Sequence, residues 1–308
     1  MRKKTLKTLA FIILLPLIAF SQQEENVGTI KLFYLGGQSN MDGYGFNSDL
    51  PESLNKQFEN VWIFHGNSVG DDKENGGLGI WETLKPGHGV GFSSDGNINN
   101  LSDRFGVELS FAKRLQELYS NEKIAIIKYS RGGTSIDSLA AYCFGSWEPD
   151  YKGITGINQY DHFLATIRNA MSVKDIDGDG EENRLIPSGI IWMQGESDAD
   201  YGEEIASRYY SNLNRLMDLI RASLRADDLP VVIGKISDSW DDSDGKVYDY
   251  GELVQYAQEK YAKTNGNAAI IRSTRYYKYS DTWHYDSAGY IDLGKKFADA
   301  IYQLNKEK

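Results

Sequence analysis

Cysteine is almost absent from this chain: Cys143 is the only one, so no intramolecular disulfide can form and stability must come from packing. Cys143 itself reads as a small core or loop residue, with no setting that would make its thiol reactive. Histidine is nearly as rare, with 4 residues, and no His or Cys spacing suits zinc. Positive charge is in deficit. Lys and Arg total 33 against 44 Asp and Glu, a net charge of -11 at pH 7, which disfavours nucleic acid and anionic membranes and suits a neutral substrate. No apolar run reaches the roughly 20 residues that cross a bilayer. Neither an internal repeat nor a low-complexity linker divides the chain.

The N-terminus has the features of a secretory leader. Arg2, Lys3, Lys4 and Lys7 precede an apolar stretch that starts at Phe11 and is interrupted by Pro16, and Ala19-Phe20-Ser21 offers small residues for cleavage. Cleavage near residue 21 leaves residues 22–308 as one catalytic domain. That mature chain is more acidic still, because the leader carries only basic charges. No cysteine ends the apolar run, so lipoprotein-type attachment is not expected. The expectation is a secreted or periplasmic protein with no membrane insertion.

Short β-branched and aromatic runs recur at Ile30–Leu35, Ile124–Tyr129, Gly189–Met193, Val231–Ile236 and Ala268–Arg272, and read as strands. Amphipathic segments of helical length lie among them: Val107–Tyr119, Tyr160–Met171, Glu203–Arg225, Glu252–Thr264 and Ser287–Leu304. Strands alternating with helices predict an α/β fold whose central parallel sheet is covered on both faces. Ligands then bind in the loops at the strand C-terminal edge. The segments Asn67–Asp103 and Tyr142–Gln159 break the alternation and read as long loops with isolated aromatics, among them Trp81, Tyr142, Trp147 and Tyr151.

Candidate chemistry gathers in four of the predicted loops. Gly36-Gly37-Gln38-Ser39-Asn40-Met41 puts a serine at the mouth of the sheet, with glycines that permit close backbone approach. Asp281-Thr282-Trp283-His284 places a carboxylate three residues before an imidazole, where it can fix the ring tautomer and leave the other nitrogen to take a proton from Ser39. Of the four histidines, His284 alone has this setting; His162 reads as structural on a helix, and His65 and His88 as loop residues. Ser130-Arg131-Gly132-Gly133-Thr134 and Gln194-Gly195-Glu196-Ser197-Asp198 offer backbone and side-chain donors for an oxyanion.

These blocks resemble the SGNH (GDSL-like) hydrolase superfamily, and within it the sialate O-acetylesterase and carbohydrate esterase family six group. The resemblance runs through FYLGGQSNMDGYG, WETL, GVELSFAKRL, YSRGGTSI, GIIWMQGESDA and DTWHYDSAGY. It implies a three-layer α/β/α sandwich, flavodoxin-like, and an esterase that needs no cofactor or metal. Residue by residue, it implies Ser39 as nucleophile and Asp281 and His284 as its partners. The oxyanion donors would be the N–H groups of Ser39 and Gly132, with Gly133 as the alternative to Gly132, and the Gln194 side chain. Gln38 and Glu196 would bind substrate or orient the imidazole.

Three functions fit that machinery: a carbohydrate O-acetylesterase, a lipid or general esterase, and a glycan-binding protein with idle catalytic residues. The complete Ser39, Asp281 and His284 set argues against the last. Polar, glycine-rich loops with scattered Trp and Tyr suit acetylated carbohydrate better than an acyl chain. Acetylated polysaccharide of the acetylxylan type is the leading substrate. O-acetylated sialic acid is the alternative, and its carboxylate would recruit an arginine, Arg104 or Arg131. Asp175, Asp177 and Asp179 match the first half of a calcium loop, but position twelve counted from Asp175 is Ile186 where a glutamate is required.

Overall fold

A computed structural model describes residues 28–71, 73–153 and 156–307. The expected leader at residues 1–21 lies outside them. A 7-stranded sheet is built from β1 (Thr29–Gly37), β2 (Val61–His65), β3 (Trp81–Thr83), β4 (Lys123–Ser130), β5 (Arg184–Met193), β6 (Val231–Gly234) and β7 (Ala268–Ile271). The helices are α1 (Ser39–Asp42), α2 (Glu108–Leu118), α3 (Gln159–Ser172), α4 (Glu196–Asp200), α5 (Glu203–Ser223), α6 (Gly251–Thr264) and α7 (Ser287–Lys306).

Strand order is β7-β6-β5-β1-β4-β2-β3, parallel throughout except that β3 runs antiparallel to β2 at the edge. Phe33 and Tyr34, successive on β1, point to opposite faces, and both are fully buried. Phe33 meets Phe111 of α2 edge-on at 5.4 Å between ring centroids; Tyr34 meets Phe163 of α3 at 4.9 Å. Each fully buried side chain of this kind contributes about 1.5–3 kcal/mol. Helices α2 and α7 therefore cover one face, and α3, α5 and α6 the other. This is the expected three-layer α/β/α arrangement.

The predicted strands and helices all form, with ends shifted by at most two residues except at β5, which begins five residues earlier than expected, at Arg184. Two strands of this sheet were not expected. Strand β2 is buried along its length and pairs with β4, while β3 lies inside the stretch read as a long loop. His65 accordingly ends a strand rather than lying in a loop. Pro187 interrupts the β5 ladder because it has no N–H to donate. The β1 register slips there, Leu32 facing Pro187 and Phe33 facing Gly189. The long segments are ordered by buried amides: Asn67 donates to the Asn75 carbonyl and accepts from the Ser94 N–H, and Asn158 caps α3 by accepting from the Asp161 N–H. Cys143 is exposed, in a loop.

Candidate active site

The parallel strands end on one edge, and β1 ends there with a glycine for a specific reason. Gly37 has φ 148°, and a Cβ at that position would collide with the Met193 carbonyl of β5. The chain turns at Gln38, whose N–H donates to that same carbonyl at 2.9 Å, and Ser39 opens α1. A Cβ on Gly132, in the loop after β4, would lie 3.3 Å from Ser39 Cβ, so glycine brings a second backbone close to the serine. The N–H groups of Ser39 and Gly132 meet no protein acceptor among the described residues.

The loop before α7 brings the imidazole. Asp286 caps α7 by accepting from the Gly289 N–H at 2.8 Å, which fixes where the preceding turn ends. In that turn Asp281 Oδ2 lies 2.7 Å from His284 Nδ1, and Asp281 Oδ1 accepts from the Trp283 and His284 N–H groups at 2.8 Å each. The His284 ring stacks on Tyr44 with centroids 3.5 Å apart and planes 6° apart. Burial lowers the His284 pKa below its ordinary 6.5, against the opposing pull of Asp281. Burial raises the Asp281 carboxyl, but the bonds from His284 and the backbone outweigh it and hold the group below its usual value.

Ser39, His284, Gln38, Tyr44, Glu196 and Trp283 line one cavity of about 360 Å³. No hydrogen bond joins the Ser39 hydroxyl to His284 among the described residues; such bonds often close only once substrate is bound. Asn40, which follows the serine, ties the two loops together. Its Nδ2 donates to Glu196 Oε1 at 2.8 Å and to the Trp283 carbonyl at 3.2 Å, and its Oδ1 accepts from the Tyr285 N–H and the Tyr290 hydroxyl. Its amide is thus fully satisfied within the protein. Among the described residues Glu196 bonds to Asn40 and not to His284, and its Oε2 has no partner; burial raises its pKa, Asn40 opposing.

Of the two glutamines, Gln194 sits differently from expectation, while Gln38 lines the cavity. Gln194 is fully buried, and its Nε2 donates inward to Gln38 Oε1, to the Thr134 carbonyl and, at 2.6 Å, to Asp198 Oδ2. It does not line the cavity. Gln38 does, and its Oε1 accepts from Gln194 Nε2 and the Gly195 N–H at 3.2 Å each and from the Ser197 N–H at 3.5 Å. Three donors on the oxygen fix the amide orientation and leave the Gln38 NH₂ without a protein acceptor among the described residues.

Beneath the serine lies a buried ion pair that the sequence did not reveal. Lys128 Nζ donates to Glu108 Oε2 at 2.9 Å, to the His88 carbonyl at 2.7 Å and to the Asp42 carbonyl, at the end of α1, at 2.8 Å. Both side chains are fully buried. Burial pushes the neighbouring Asp42 up to about 6, Lys128 opposing. The other histidines stay away from the serine. His65 stacks on Phe92, His88 is buried beside them, and His162 bonds to the Asn158 carbonyl at 3.1 Å. Asp175, Asp177 and Asp179 have carboxylate oxygens within 4.8 Å of one another, but the Lys123 ammonium lies 2.5 Å from Asp177 and 3.8 Å from Asp179. Lys123 thus offsets part of the negative charge of this turn.

A serine at the sheet's C-terminal edge and an Asp-His pair in one cavity, on a three-layer α/β/α frame, define the class: this is an SGNH-type carboxylic ester hydrolase. The family described as "Carbohydrate esterase, sialic acid-specific acetylesterase" matches residues 29–303, and the chain belongs to it. Among solved structures, one from Arabidopsis thaliana is 19% identical with a TM-score of 0.60, over 89% of this chain and 98% of that one. A carbohydrate acetylesterase from Xanthomonas citri is 18% identical with a TM-score of 0.59, over 90% of this chain but 57% of that one. NanS is 16% identical with a TM-score of 0.56, over 91% of this chain and 99% of that one. At these identities the likeness is one of fold. Among curated proteins none matches the chain. No helix of the described residues is long and apolar enough to cross a membrane.

Proposed function

We propose that the protein is an exported esterase, residues 22–308 forming its catalytic domain, that removes O-acetyl groups from acetylated polysaccharide with Ser39, His284 and Asp281 as its triad. The observation that carries this reading is the Asp281–His284 bond at 2.7 Å in the cavity that Ser39 also lines. With Asp281 on Nδ1, the His284 ring carries its proton there, and Nε2 is the base. Ser39 Oγ attacks the acetyl carbonyl as His284 takes its proton. The tetrahedral intermediate collapses, the sugar hydroxyl leaves with that proton, and Ser39 is acetylated. Water, deprotonated by His284, then releases acetate.

Oxyanion stabilisation falls to the N–H groups of Ser39 and Gly132 and to the side-chain NH₂ of Gln38. Gln38 replaces Gln194 in this role because the Gln194 donors are engaged inside the protein. Glu196 acts through Asn40, keeping the serine turn and the His284 loop in register.

One observation favours a second substrate. Arg131 lines an adjoining cavity that shares Tyr44 and Phe144 with the first; its guanidinium reaches Ser68 Oγ at 3.3 Å, and its buried Nε has no partner among the described residues. A sugar carboxylate, as in O-acetylated sialic acid, would suit it. Arg104 is engaged elsewhere, donating to the Tyr44 carbonyl and stacking over Phe46 at 3.5 Å. Acetate release measured in parallel from acetylated xylan and O-acetylated sialic acid decides between them. Faster release from xylan is expected; release from sialic acid alone would overturn the polysaccharide reading.

A further inference from the structure

Two aromatic residues near the cavity hold a backbone conformation that bulky side chains rarely adopt. Tyr142 has φ 40° and Trp240 has φ 62°. Neither is buried in compensation, since Tyr142 is 68% and Trp240 62% exposed. Strain kept at an exposed aromatic side chain points to a use for that side chain outside the fold.

Tyr142 belongs to the rim of the catalytic cavity, and Trp240 to a loop that supplies part of the cavity wall. Tyr142 lies 6.4 Å from Phe144 and 6.0 Å from Tyr201, ring to ring, and both of those line the cavity. Trp240 sits on the loop that continues to Val247 and Tyr248, also in the wall. Asp238 organises that loop by accepting from the N–H groups of Trp240, Val247 and Tyr248. The same loop is tied to the triad loop: Ser239 Oγ donates to the Thr282 carbonyl at 2.7 Å, next to Trp283, which is 53% exposed and lines the cavity. Aromatic faces therefore extend beyond the cavity itself.

We infer that these rings form a platform for a neutral glycan chain, so that the enzyme acts on acetyl groups carried by several linked sugars rather than by a free monosaccharide. Pyranose faces stack on such rings, and the polar edges of the loops meet hydroxyls. Charge supports neutrality of the chain. Asp200 lines the cavity, and Asp242 and Asp249 lie close enough to add to the effect of burial in raising its pKa; Asp241 bonds to Thr282 beside Trp283. An anionic polymer would be repelled from this rim.

The inference rests on the esterase reading, and the test separates the two. Tyr142→Gly and Trp240→Gly remove each ring while glycine accepts the positive φ, so the backbone is retained. The probes are 4-nitrophenyl acetate, acetylated xylose and acetylated xylan. For wild type, kcat/KM per acetyl group should be higher on xylan than on xylose. Each variant should lose about tenfold on xylan, mostly through KM, and keep wild-type turnover of 4-nitrophenyl acetate. No preference for xylan over xylose, or variants that retain kcat/KM on xylan or lose it equally on both sugars, would overturn the platform and leave the esterase standing. Failure of wild type to hydrolyse 4-nitrophenyl acetate would instead remove the esterase reading.

Discussion

Asp281 holds His284 at two points, its Oδ2 2.7 Å from Nδ1 and its Oδ1 2.8 Å from the His284 backbone nitrogen. Tautomer and ring position are thus set by one carboxylate. Asp281→Asn offers the ring an N–H in place of an acceptor and no charge to the imidazolium that the proposed mechanism forms as Ser39 loses its proton. A fall of roughly 10⁴-fold in kcat with little change in KM is expected. A wild-type kcat for Asp281→Asn together with a lost kcat for Glu196→Gln would transfer the partner role to Glu196.

Burial places the His284 pKa below 6.5, and only the neutral ring accepts the serine proton. Activity is therefore absent at low pH and rises as pH increases through that pKa. The acid limb of kcat/KM on 4-nitrophenyl acetate should have its midpoint below 6.5, the ordinary histidine value. A midpoint above 6.5 would mean that Asp281 outweighs burial.

Gln38→Glu keeps an oxygen where three donors converge but removes the NH₂ proposed as an oxyanion donor. It should lower kcat by about 10²–10³-fold, the usual effect of losing an oxyanion donor, with Tm near wild type. Gln194→Glu sets a carboxylate against buried Asp198 and should lower Tm. If Gln38→Glu is fully active, the amide donor has been misassigned.

Lys128 secures the carbonyl that ends the nucleophile turn. Lys128→Met strands Glu108 as a buried charge and should cost about 3–5 kcal/mol in urea unfolding. Adding Glu108→Gln removes that charge yet still accepts from the Gly106 N–H, so the double variant should recover part of the loss. Equal stability of Lys128→Met and wild type would show that the pair contributes nothing net.

How far the sequence was readable follows from the range of the interactions. The alternation of Ile30–Leu35, Ile124–Tyr129 and their successors with amphipathic helices is a local signal, and the layers follow from it. The Asp281–His284 pair is local too, three residues apart. Strand β2 escaped notice because its five residues show no alternation, being buried on both faces. The inward engagement of Gln194 was not readable, since Thr134 and Gln38 lie 60 and 156 residues away. Lys128 is the lone charge in the run Ile124–Tyr129, and a charge inside a strand as buried as β4 is the signal that would have found its partner Glu108.

Whether Ser39 attacks the acetyl carbonyl is decided by the turnover of 4-nitrophenyl acetate by Ser39→Ala. A fall in kcat of about 10⁶-fold with an unchanged Tm is expected, because loss of a triad serine removes the covalent route. Near wild-type turnover by this variant, with contaminating esterase excluded, would contradict it.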